Sequence, residues 1–175
     1  DLREGDPVNL ETSLGAGDGY GLRLSFSASR FALEPDEEAT DRSVSGAVGV
    51  QWLRRLESGA ALTMSAAWLE SESERPSLDY VRSRVSAGYT LAEPVLGARA
   101  TFGLAMERRH YDTYPFQLDG RHDHELEARL NLAFPAFDMY GFLPTVQVFT
   151  SENLSTAGRY DRSESGLDIG FRSAF

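Results

Sequence analysis

At 175 residues the chain suits one domain with room for a substantial core. Its formal charge of -10 argues against nucleic acid and against a peripheral anchor on anionic lipid, both of which call for clustered Lys and Arg. The lack of cysteine removes disulfides, thiol nucleophiles and cysteine metal sites, and no run approaches the roughly 18 apolar residues of a membrane helix.

A transmembrane barrel escapes that last test, because only alternate residues of each strand meet lipid. The pattern along this chain is of that kind. Val8, Leu10, Thr12 and Leu14 offer the end of one strand, with 15–19 as its turn. Tyr20, Leu22, Leu24, Phe26 and Ala28 then alternate with Gly21, Arg23, Ser25 and Ser27. Val44, Gly46, Val48, Val50 and Trp52 repeat the rhythm, followed by Leu62, Met64, Ala66 and Trp68. Next come Val81, Val85, Ala87, Tyr89 and Leu91, then Ala98, Ala100, Phe102, Leu104 and Met106. Leu126, Ala128, Leu130, Leu132 and Phe134 continue it, as do Phe142, Val146 and Val148. The terminal stretch sets Leu167, Ile169 and Phe171 against Asp168, Gly170 and Arg172 and closes on Phe175. A period of two places each apolar set on one face of a strand, and no segment sustains a helical period.

The breaks alternate in length. Short ones lie at 56–59, 92–97 and 135–141, and long ones at 34–41, 70–77, 109–124 and 151–163. An up-and-down barrel with short periplasmic turns and long outer loops has this rhythm. With the carboxy terminus in the periplasm, the short-turn ends carry Tyr20, Trp52, Tyr89, Phe134, Phe142 and Phe175, all on the apolar face, as an interfacial girdle requires. Trp68 falls at the opposite end. The other face carries Arg23, Arg82, Arg84, Arg99, Glu107, Arg109, Glu127, Arg129, Asp168 and Arg172. These are the candidate lumen residues. A soluble barrel or sandwich also satisfies alternation, with the apolar face as its core. It leaves the one-ended girdle and the terminal Phe without a cause.

The fold expected is therefore all-β: an antiparallel up-and-down transmembrane β-barrel of about eight strands, or part of a larger one. Residues 1–18 are read as a short amino-terminal segment or the remnant of a preceding strand, and 19–175 as the barrel. The chain begins with Asp and not Met, which suggests a mature product or a piece of something longer. Eight strands would put both ends in the periplasm, and a ninth would put the amino end outside.

Two resemblances sharpen this expectation. A final strand carrying Leu167, Ile169 and Phe171 and ending on Phe175 resembles the signal by which outer-membrane barrels are recognised for insertion, implying the barrel-assembly machinery as a partner. Further, Tyr114-Pro-Phe116, Arg121-His-Asp123, Gly141-Phe-Leu-Pro144, Ser151-Glu-Asn153-Leu-Ser155, Arg159-Tyr-Asp-Arg162 and Gly170-Phe-Arg-Ser-Ala-Phe175 fall in one order. That order resembles the carboxy-terminal barrel of the surface lipoprotein assembly modulators (Slam), over about a third of the chain. The resemblance implies a conduit in the bacterial outer membrane that passes client lipoproteins to the cell surface, with outer-membrane lipid around it. It also implies a preceding domain of tetratricopeptide repeats and a barrel larger than eight strands. This chain shows no such repeat, so the resemblance points to a truncated member.

The residues that could carry chemistry each have a plainer role open to them. His122 and His124, with His110 nearby, suit zinc, copper or nickel, but two ligands on an outer loop do not close a site. His110, Asp112 and Ser151 or Ser155 would form a catalytic set only if neighbouring loops folded together. Asp36-Glu-Glu38, Asp41, Glu70, Glu72 and Glu74 would suit divalent ions, or simply a solvated rim. The expectation is no catalytic site, no metal and no cofactor. A small structural or adhesion barrel of the outer-membrane protein A or X type is the alternative function, and an outer-membrane enzyme the third. The inward charges either line a path or pair across strands and fill the lumen.

Overall fold

The computed structural model describes residues 5–16, 20–33, 41–137 and 140–173, with side chains described for 20–27, 43–137 and 140–173. Among the described residues nine strands form one sheet in strict chain order: β1 (Gly5–Ala16), β2 (Tyr20–Leu33), β3 (Asp41–Arg55), β4 (Ala61–Ser73), β5 (Tyr80–Thr90), β6 (Arg99–Tyr111), β7 (Arg121–Ala133), β8 (Phe142–Ser155) and β9 (Arg162–Ser173). Every neighbouring pair is antiparallel. The molecule is thus an up-and-down all-β sheet, and the Val8–Leu14 alternation lies in its first strand. Among the described residues β1 and β9 do not pair with each other, so the sheet is open. No described helix is long and apolar enough to cross a membrane.

The ladder keeps like faces together. Phe102 stands opposite Leu130 and Tyr89, Leu104 opposite Ala87, Met106 opposite Leu126, and Val148 opposite Leu167. A one-residue slip would mix the faces, so the alternation itself fixes the register.

The short turns are tight because their residues allow it. Leu96 and Gly97 both have positive φ (52° and 80°), and Val95 and Ala98 exchange two backbone hydrogen bonds around them. That is a two-residue hairpin whose twist matches its strands. At Leu56–Ala60 the Gly59 N–H donates to the Leu56 carbonyl, and the Gly59 φ of 87° turns the chain so that the Ala60 carbonyl accepts from the Leu56 N–H.

At the long-loop end one device appears twice. The Asp79 carboxylate accepts from the Ser73 N–H at 2.5 Å, and Asp161 accepts from the Ser155 N–H at 2.7 Å. Each serine hydroxyl accepts an N–H two residues on, and a single 3-10 turn (Pro76–Leu78, Gly158–Tyr160) lies between serine and aspartate. The acceptor side chains satisfy backbone donors that the ending ladder leaves open.

Strands run further than the apolar pattern does. The breaks read from sequence at 70–77, 109–124 and 151–163 narrow to 74–79, 112–120 and 156–161. His122-Asp123-His124, expected on a loop, is ladder: His122 pairs with His110, and His124 with Arg108. Backbone pairing does not need apolar side chains, so polarity marks the end of the greasy band and not the end of the strand. The acidic run Asp36–Glu38 and the terminal Phe175 lie outside the described residues.

Candidate functional site

The two faces of the sheet have exchanged the usual roles of core and surface. Leu104, Leu126, Leu167 and Ile169 are 61%, 53%, 60% and 76% exposed, whereas Glu107, Asp123 and Arg121 on the other face retain 6%, 6% and 8%. Charges are sheltered and aliphatics are bare. Side chains crowd on the inside of a curved sheet and splay on the outside, so this contrast follows from curvature with the polar face inward.

An ion-pair network occupies the middle of that polar face. Arg84 donates to Glu107 Oε2 at 3.3 Å and reaches past β6 to Glu127 Oε2 on β7 at 2.6 Å. Arg109 donates to Glu107 Oε1 at 2.6 Å, Arg82 lies 4.0 Å from Glu107 Oε2, and Arg129 pairs with Glu127. Glu107 therefore sits among three arginines, whose donors offset the cost of sheltering its carboxyl group from water.

Toward the short turns the network gives way to a polar hollow of about 490 Å³, lined among others by Arg99, Arg129, Asn131, Gln147, Asp168 and Arg172. Of the candidate lumen residues, Arg82, Arg84, Glu107, Arg109, Glu127 and Arg129 join in one network. Arg99, Asp168 and Arg172 gather around the hollow, and Arg23 stands apart on β2.

Beside the hollow Phe149 breaks the polar pattern. A Cβ on Gly166 would lie 2.6 Å from the Phe149 ring, so only glycine lets the ring rest on β9. Such aromatic cover compensates a strand glycine that has no side chain to pack.

At the long-loop end arginine and tyrosine interleave. The Arg121 guanidinium lies 3.7 Å from the Tyr111 ring centre and 3.9 Å from that of Tyr160, with Asp123 Oδ2 3.2 Å from its Nη2. Gln117 Nε2 donates to the Thr156 carbonyl at 2.8 Å and the Thr156 N–H to the His122 carbonyl at 2.9 Å, joining the loop after β6 to the loop after β8. Arg159 donates to the Tyr160 oxygen at 2.9 Å and holds that phenol below its usual pKa, while partial burial and a hydrogen bond with Tyr160 push Tyr114 up. The sequence reading missed this cluster. Tyr114, Arg121 and Tyr160 fall within its motifs, but 39 residues separate Arg121 from Tyr160, and only the hairpin topology unites them.

The chemical alternatives fare unequally. His110 lies on the apolar face and Ser151 lines the polar one, so the sheet stands between the proposed base and nucleophile. His110 Nε2 is 2.8 Å from Asp112 Oδ1, and the His110 and His122 rings stack at 4.2 Å. Among the described residues no three His, Asp or Glu side chains converge as a metal would need. Compared with models of known protein families and with curated proteins, the chain matches none.

Proposed function

We propose that this sheet is the wall of a bacterial outer-membrane β-barrel, carboxy terminus in the periplasm, that serves to deliver lipoproteins to the cell surface in the manner the Slam resemblance implies. One observation carries the membrane part. Charged side chains are enclosed by the sheet, while Phe102, Leu104, Met106, Leu126, Leu167 and Ile169 have no protein over them. In water such a face would drive association. In hydrocarbon it is the correct surface, and the backbone, paired strand to strand, needs no water.

The strand count supports a barrel larger than this sheet. In nine alternating strands the first and last run the same way. They cannot join in an antiparallel ladder, so closure needs an odd number of further strands. A wider barrel leaves room for water along the polar face, and the reading with client passage or lateral handover gains over a filled eight-stranded plug. Outer-membrane lipid, the barrel-assembly machinery and client lipoproteins are the partners, and the barrel performs no bond chemistry of its own.

The test is surface display. The intact protein, expressed with a candidate surface lipoprotein in a Gram-negative host, should render that lipoprotein sensitive to external protease. Localisation to the outer membrane with no change in display would leave a structural or adhesion barrel and remove the conduit. Recovery in the soluble fraction would remove both.

A further inference from the structure

Resting on the membrane reading, we infer that the outward face of β6 and β7 carries a binding site for the phosphate of a membrane lipid headgroup. The greasy face of these strands changes character at one level. Met106 stands opposite Leu126, and the next outward-facing pairs are Arg108 with His124 and His110 with His122. Four side chains with nitrogen donors thus form two adjacent rungs directly above the last apolar rung.

The height fits a headgroup. Phe134, in the short-turn girdle, lies one residue past the end of β7, its N–H donating to the Pro144 carbonyl at 3.0 Å, and keeps the even-numbered alternation to which His124 belongs. Roughly ten residues at about 2.6 Å each, for a strand tilted about 40°, span about 26 Å, close to the apolar band of about 25 Å expected for such barrels. Arg108 and the histidines therefore stand where acyl chains end and phosphates begin. Trp68, 42% exposed and bordering with Arg108 and the three histidines a hollow of about 290 Å³, supplies the aromatic that such a level favours.

The patch is local and not a general solvated rim. Elsewhere on this face the strand extensions carry Glu70 and Glu72 on β4 and Glu152 on β8, in a chain of net charge -10. Arg108 is exposed and makes no ion pair among the described residues, unlike Arg82, Arg84, Arg109, Arg121 and Arg129. His110 is held by Asp112, and its Nδ1 is enclosed without a hydrogen-bond partner. The nearest opposing charges are Asp112, Glu152 on β8, opposite Leu126 and so one rung below His124, and, two strands from His110 in register, Glu70. An arginine without a carboxylate, beside imidazoles, is equipped for a phosphate oxygen and not for a carboxylate of its own chain. Met106 and Leu126 below it would meet the first methylenes of the same lipid.

The intact protein is reconstituted into phosphatidylcholine vesicles containing phosphatidic acid with identical acyl chains, and lipid retained per protein is counted by native mass spectrometry. Wild type should retain phosphatidic acid over phosphatidylcholine by at least about tenfold, the equivalent of one charge-assisted bond. Arg108→Gln with His124→Gln should bring retention to parity, while Arg55→Gln, an equal charge change at the short-turn end, should leave the preference intact. Should the double variant fail to assemble, a Trp52→Phe protein leaves Trp68 as the reporter. Phosphatidic acid carrying a spin label on one acyl chain near its carbonyl should then quench it more than phosphatidylcholine carrying the same label. Equal retention or equal quenching by an inserted wild type overturns the site and leaves the membrane reading standing. Displacement of phosphatidic acid by millimolar inorganic phosphate would make it a free-phosphate site and overturn the lipid assignment. Failure to incorporate into any vesicle would overturn the membrane reading, and the site with it.

Discussion

Replacing Leu130 and its neighbour Asn131 in turn with arginine asks which solvent touches each face. Leu130 stands opposite Phe102 on one side and Val148 on the other, which are 50% and 45% exposed. It lies about four residues above Phe134, or about 10 Å at 2.6 Å per residue, near the middle of the apolar band. An arginine there should cost about 2–4 kcal/mol, roughly a 30- to 900-fold loss in the ratio of folded to unfolded protein. Asn131 points into the 490 Å³ hollow. There Arg99, Arg129 and Arg172 would repel a new guanidinium and Asp168 would attract it. With water between them these effects are small, and the net cost should stay below about 1 kcal/mol. The measurement is reversible urea unfolding in lipid vesicles, followed by tryptophan fluorescence. Equal costs, or a larger cost at Asn131, would refute the face assignment and with it the barrel.

Other perturbations test separate parts. Glu107→Gln should destabilise by about 1–3 kcal/mol in the same unfolding assay, since Arg84 and Arg109 lose their shared carboxylate; the partial exposure of both arginines keeps the effect below that of a fully buried pair. Gly166→Val should cost about 1–3 kcal/mol by forcing the Phe149 ring off β9, and Phe149→Ala in the same chain should recover part of it. Tyrosine absorbance should show Tyr160 ionising below the usual phenol range, with Arg159→Gln moving that step up; its bond to Arg159 strengthens as pH rises through the phenol range and is weaker below it. Deleting Phe175 should lower the fraction reaching the outer membrane, read by fractionation, and normal insertion without it would remove the assembly-signal reading.

The sheet was legible because its information is local. Alternation from Tyr20 onward needs only neighbours in sequence, and the short breaks at 56–59 and 92–97 contain the glycines whose positive φ their turns use. The clustering of charges was legible only in part. Period two places Arg84, Glu107 and Glu127 on one face, yet it says nothing of a guanidinium reaching across β6 to the strand beyond. Strand ends were misread at His122–His124 because side-chain polarity stood in for backbone pairing. The Arg121 cluster escaped because cation–π packing leaves no spacing rule, and its members meet through two loops that share only a few polar contacts.

The mispositioned strand ends bear directly on function. Had the ladder stopped where the apolar pattern stops, Arg108, His122 and His124 would be loop residues free to turn toward water. Held in register, with Met106 and Leu126 immediately beneath, they are committed to the outward face at a fixed height. The same rigidity sets Arg121 and Asp123, one residue away on the same strand, on the opposite face among tyrosines. In the proposed orientation one stretch of β7 therefore meets two environments at its outer end, headgroups through its even-numbered side chains and the lumen mouth through its odd ones. Inserting a single residue between His124 and Leu126 would exchange those assignments for everything beyond it, burying imidazoles in the mouth and presenting Arg121 and Asp123 to lipid. Such an insertion should impair assembly far more than one in the loop at 112–120, and equal tolerance at the two places would show that the outer extension of the ladder has no preferred side.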